Sequence, residues 1–245
     1  MLHDRTHDEP STTTPLAHSC ARLRDISPDY PRVYAVATMA DQGRRRWWPL
    51  AACTETPGTS GAPGHRIGHM YARVLDDLRS PHAAAVQVAA ALVHAIVGRV
   101  AALAVLEARA WDPGVDNLWL HLDNDAGIDW AGLDDPRLRV LADDPLAGTP
   151  GTVTLPCERA LHVWTAHRCL TSLTAARTAL GAVAPVDPTR FAALVADAVL
   201  GAATQVPVRA GTSRSVAHRR GQGLLDAFEL LGMPVRARAP LAAAC

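Results

Sequence analysis

A histidine and an arginine interrupt the most apolar stretch of the chain, AALVHAIVGRVAALAVL (residues 90–106), as His94 and Arg99. An imidazole offers a metal ligand or a proton relay, and a guanidinium offers a fork of donors for an anion. On an α-helix, Gln87, Ala90, Ala91, His94, Gly98 and Ala101 share one face, a stripe of small residues that lets another helix or a ligand approach closely. Arg99 lies about 140° round the helix from His94, among Leu92, Ile96, Leu103 and Leu106, so the two do not pair on their own helix. A guanidinium in such surroundings needs a carboxylate or a set of carbonyls, because burying it unpaired costs several kcal/mol. Asp197 interrupts FAALVADAVLGAATQV just as oddly, which makes it, or a helix C-terminus, the expected partner. Binding of an anionic ligand is the alternative. For His94 the alternatives are a core histidine satisfied by its neighbours and a ligand contact.

A second group lies in PCERALHVWTAHRCLTSLTAARTAL (156–180). His162 and Cys169 are seven apart and share a helical face, while His167 points elsewhere. With Trp164 beside them, these residues suit a haem or metal ligand set, or a Cys–His nucleophile pair, against the plainer reading of buried helix. The metal-ligating candidates are therefore His94, His162, His167 and Cys169, and the ligand-binding candidates His94, Arg99, Gln87, Asp197 and Trp164. His65 and His69 have the spacing of two metal ligands on one face but lack further ligands nearby. Asp123-x-Asp125-x-Gly127 shares residues with a calcium loop but lacks its bidentate glutamate, so it reads as a hairpin turn.

Composition narrows the classes. The 24 acidic residues balance 24 basic ones, all of them Arg, and the absence of Lys excludes a catalytic lysine or a Walker-type phosphate loop. Neither the neutral balance nor the lone RRRWW cluster (44–48) points to nucleic acid. The 5 cysteines are scattered with no CxxC pair, and the polar first 20 residues carry no apolar secretory core, so reduced thiols and a cytoplasmic location are expected. Ala83–Leu106 is long enough for a membrane span. Arg99 alone would cost ~2.5–3.5 kcal/mol at the bilayer centre, however, and the alanines offset little of it, so a buried helix is expected.

The elements that must carry these residues follow from punctuation and periodicity. Residues 1–24 read as a flexible tail, 25–235 as one helical domain and 236–245 as an irregular tail. A helix starts near residue 66, and Ser80-Pro81 starts a second that runs to about Arg109. NLWLHLD and IDWAGL alternate as strands, and RLRVL and GTVTL add two more. Helices then resume over 156–180, with Thr154 as cap, and over 188–206 and 213–231. The expected fold is mainly α: a single-domain helical scaffold with a small β insertion at roughly residues 115–155.

That order of parts, WWPLAAC, then VAAALVHAIVGRVAALAV, then a tryptophan-bearing strand pair and a helical C-terminal half, resembles the ferric-siderophore reductase family of the FhuF type. In that family small apolar residues are followed by His and, five positions on, Arg, here His94 and Arg99. Asp197 stands where the family usually has Asn. The resemblance covers roughly residues 30–235 and implies a scaffold that receives a ferric hydroxamate and reduces its iron, which hard oxygen donors then hold more weakly. The family's electron carrier is a [2Fe–2S] cluster on four C-terminal cysteines; this chain ends APLAAAC with Cys245 alone there, so that cluster is not expected. What remains is an oxidoreductase-derived protein that acts on or binds an iron-linked or hydroxamate-type metabolite. The alternatives are a non-catalytic accessory protein in siderophore or natural-product metabolism, and a haem- or metal-dependent enzyme. The expected partner is a small-molecule metabolite or ferric chelate. Homodimerisation is left open.

Overall fold

The computed structural model describes residues 14–43, 45–54, 66–184 and 186–236. The fold is mainly helical. Its centre is one long apolar helix made of α4 (Pro81–Val93), a π-helical turn (His94–Gly98) and α5 (Arg99–Glu107). Ser80 caps it by accepting from the Ala83 N–H, Pro81 occupies the first turn, and Ala108 ends it in the left-handed conformation. This helix and α7 (Pro188–Ala210) are both long and apolar enough to cross a membrane by length and composition alone. The most apolar window of the first, however, is 83% buried inside the fold. Its apolar residues are answered by α6 (Glu158–Gly181), α7 and α8 (Arg214–Leu230), and by α3 (Arg66–Leu78) on the outer side.

Residues 1–24 are not wholly a tail. Pro15–Asp25 form α1, whose Leu16, Cys20 and Leu23 repeat at helical spacing and enter the core. Thr14 Oγ1 accepts from the Ala17 N–H, and Pro15 sits in the first turn. Ser19 Oγ donates to Glu107 at 2.8 Å, and Arg22 pairs with the same carboxylate at 2.9 Å, tying α1 to the end of α5.

The β region is larger than residues 115–155. β3 (Leu118–Leu122) and β4 (Ile128–Leu133) form the expected hairpin, turned by Asp123, whose Oδ1 accepts from the Asp125 and Gly127 N–H groups. Two N-terminal strands flank it: β1 (Val36–Thr38) runs parallel to β4, and β2 (Trp47–Pro49) antiparallel to β3. The sheet order is β1-β4-β3-β2. β5 (Leu138–Leu141) and β6 (Thr152–Leu155) pair in parallel as a separate ribbon. Because Thr154 is committed to that ribbon, α6 begins only at Glu158, with Cys157 as its N-cap rather than Thr154. A short α2 (Leu50–Cys53) follows β2, and α7 runs past Val206 to Ala210, where Gly211 closes it in the left-handed region. The 236–245 tail lies outside the described residues except for Arg236, which pairs with Asp226 and Glu229 of α8.

Candidate functional site

His94 and Arg99 meet, although on a regular helix they would not. The Arg99 N–H bonds to the His94 carbonyl, five residues back, and this widened turn swings both side chains to the same side. His94 Nε2 lies 2.7 Å from the Val33 carbonyl oxygen, to which Arg99 Nε also donates at 3.1 Å. Arg99 then donates from Nη1 to Ala35 O at 2.9 Å and from Nη2 to Arg32 O and Asp129 O at 3.3 and 3.1 Å. Only 1% exposed, it clips the central helix to the backbone before β1 and to β4. Burial lowers its pKa to about 10, and nearby Asp129 raises it. The carbonyl alternative therefore describes Arg99, and with these donors spent the residue is a structural clamp rather than an anion receptor.

Asp197 is not its partner. It lies on the exposed side of α7, as Gln87 lies on the exposed side of α4. The small-residue stripe is buried only from Gly98 onward. A Cβ at Gly98 would lie 2.5 Å from His94 Nδ1, so the imidazole rests on the helix surface that this glycine opens. Burial and the Arg99 charge push the His94 pKa down, while its bond to Val33 raises it.

The α6 residues separate in the same way. Trp164 is the floor for Arg139, whose guanidinium carbon stands 4.4 Å above the ring centroid. His167 is exposed. Cys169 is fully buried, its Sγ lies 3.7 Å from the Ile96 carbonyl, and burial raises its pKa, so it is a protonated core thiol rather than a thiolate ligand. His65 lies outside the described residues.

His162 is the exception. Its residue is 4% exposed, and among the described residues its buried Nε2 has no hydrogen-bond partner, nor has the buried Thr165 Oγ1 three residues on. The ring lines a cleft of about 520 Å³ between α6 and α8, with Glu158, Arg159 and Val163 on one wall and Arg219, Gly223, Asp226, Ala227 and Leu230 on the other. Gly223 lets the helices close on the imidazole: a Cβ there would lie 2.5 Å from His162 Nδ1. Glu158 is held by Arg220 at 3.0 Å and Arg219 at 3.6 Å, and Arg220 also donates to the Val105 and Leu106 carbonyls at the end of α5. Burial pushes the His162 pKa below its ordinary value; Glu158 and Asp226 pull it up and Arg220 pushes it down. The site is thus a neutral imidazole at the wall of a cleft with two cations and two carboxylates at its rim.

Gly223, Arg219, Glu158 and Asp226 are absent from the sequence-based site list. The GQG of α8 (221–223) is the signal that could have found them, since two glycines inside a helix mark close approach.

The candidate metal ligands named from the sequence do not gather in one place. Among the described residues no three His, Cys, Asp or Glu side chains gather as a metal site. His94 is committed to Val33, His167 points away, and the Cys169 thiol is protonated, so the metal set of His94, His162, His167 and Cys169 does not assemble. A haem face would meet charged walls at His162 rather than an apolar slot.

No family model, curated protein or solved structure matches the chain.

Proposed function

We propose that the protein binds a small metabolite in the α6–α8 cleft, in a non-catalytic accessory role, and that an iron-linked, hydroxamate-type chelate is the ligand class. The single observation that carries the binding site is His162: a buried imidazole with an unpartnered Nε2 at the wall of the cleft. An unsatisfied buried polar atom costs ~1–3 kcal/mol, and a ligand group that reaches it removes that cost. The volume of about 520 Å³ lies in the range of small-molecule sites, ~300–1,000 Å³.

The ligand class rests on the resemblance to siderophore reductases and on the chemistry of the walls. A ferric hydroxamate brings its own oxygen ligands, so it needs no protein set of metal ligands. It needs donors for those oxygens, which Arg159 and Arg219 offer, and apolar contact for its carbon backbone, which Val163, Ala227 and Leu230 offer. Calorimetric titration with ferric acetohydroxamate tests the proposal. Wild type binds; His162→Gln binds roughly tenfold more weakly, the worth of about 1.4 kcal/mol; His167→Gln, on the exposed side of α6, binds as wild type.

A further inference from the structure

A second cleft, lined by β2, the start of α3 and the β3–β4 turn and sharing no residue with the His162 cleft, carries more arginines than carboxylates. It has a volume of about 390 Å³ and is lined by Arg46, Trp48, Arg66, His69 and Arg73, with the Asp123–Asp125 turn as its far wall. Arg66, the first residue of α3, lies flat on the Trp48 indole with its guanidinium carbon 3.6 Å from the ring centroid. Its Nε is buried and has no hydrogen-bond partner among the described residues. A guanidinium fixed by an aromatic face while a donor stays unpaired is preorganised for an acceptor arriving from outside.

The neighbouring carboxylates leave that donor undersupplied. Asp125 is spoken for by Arg73, Oδ1 to Nη2 at 3.2 Å. Asp123 turns its Oδ1 onto the Asp125 and Gly127 N–H groups to hold the turn. Among the described residues no carboxylate pairs with Arg46 or Arg66. Arg46 stands at φ 65° with a non-glycine side chain, a conformation that costs ~1–2 kcal/mol, and its carbonyl accepts from the Leu122 N–H where β3 slips register. This strained backbone holds a second cation in the lining of the same cleft.

We propose that this cleft binds the oxyanion of a small metabolite, a phosphate or carboxylate group gripped by Arg66 and Arg46, with Trp48 setting the plane of the Arg66 fork. Both anions accept two parallel N–H bonds from one guanidinium, so the same geometry serves either source.

The test uses the full chain, titrated by calorimetry with inorganic phosphate and separately with citrate, each at low and raised sodium chloride. At least one anion binds, and its affinity falls with added salt, as two arginine contacts require. A response to phosphate alone assigns a phosphate ester, to citrate alone a carboxylate, and to both a general oxyanion site. Arg66→Gln and Arg46→Gln each weaken binding at least tenfold, and His162→Gln, in the other cleft, leaves it unchanged. Should Arg66→Gln fail to fold, Arg46→Gln decides, because Arg46 is exposed. Absence of binding by both anions, or wild-type affinity in Arg46→Gln, overturns the proposal.

Discussion

His94 and Arg99 share one acceptor: the Val33 carbonyl oxygen is 2.7 Å from His94 Nε2 and 3.1 Å from Arg99 Nε. The π-helical turn between them creates this relationship, and its effect is architectural. It fastens the central helix to the segment that leads into β1, and through Asp129 to the middle of the sheet. Asp129 in turn accepts from His121 Nδ1 at 2.6 Å and faces Arg32 at 3.4 Å, so the clamp continues into the hairpin.

Arg99→Met removes the clamp and takes one donor from each of four backbone carbonyls, of which Val33 O keeps His94 and Arg32 O and Ala35 O keep backbone N–H groups. The expected loss is about 3–5 kcal/mol of unfolding free energy, measured by urea denaturation. Arg99→Lys recovers only part of it, because an ammonium cannot reach all four carbonyls, spread over residues 32–35 and Asp129. A loss under about 1 kcal/mol in Arg99→Met would show that these bonds contribute little.

Gly98→Ala sets helix propensity against a clash. Alanine favours a helix interior by about 1 kcal/mol, but its Cβ would press on the His94 ring, and relieving such overpacking costs ~1–3 kcal/mol. The single variant is therefore destabilised. In a His94→Ala background the clash is gone and the same change is neutral or stabilising. The double-mutant cycle reads this reversal directly; equal effects in both backgrounds would separate Gly98 from His94.

Acidification provides a third check. Burial is the main force pushing His94 and His162 below their ordinary value of 6.5, so at mildly acid pH the unfolded chain takes up protons that the folded one refuses. Stability contributed by these groups is present above 6.5 and is lost as the pH falls below it. Glu158, held low by Arg220 against its own burial, gives up its share only below its ordinary 4.5, and Asp135 and Asp144 below 3.8. Unfolding free energy thus drops as the pH falls below about 6.5, and His162→Gln flattens that slope. An unchanged slope in both His162→Gln and His94→Gln would refute the assignment.

The sequence carried the helices further than the site. Ser80-Pro81 and Asp187-Pro188 mark real helix starts because a cap side chain and a proline act within a few residues, and Ser213 marks one by its cap alone. Thr14-Pro15 is the same signal at the head of α1, hidden in a polar, threonine-rich segment. The π turn was not legible: periodicity assumes 3.6 residues per turn, and one widened turn reverses the relation of His94 to Arg99. Asp197 misled for another reason. An apolar run does not report burial on every side, and Leu200 and Val208, 41% and 56% exposed, share the open side of α7 with it. The His162 environment depends on α8, far along the chain, where Gly223 makes room for the ring. Helix-to-helix proximity of that kind leaves no local pattern around His162 itself.

The most direct measurement is of the His162 ring in solution. Histidine side-chain ¹⁵N resonances, assigned through His162→Gln, are followed as the protein is titrated with the diamagnetic gallium acetohydroxamate complex. The His162 nitrogens start with the signature of a neutral imidazole at neutral pH and shift saturably with the chelate, while those of His94 stay in place. A chelate that binds without moving the His162 resonances, or that fails to bind at all, would contradict the account.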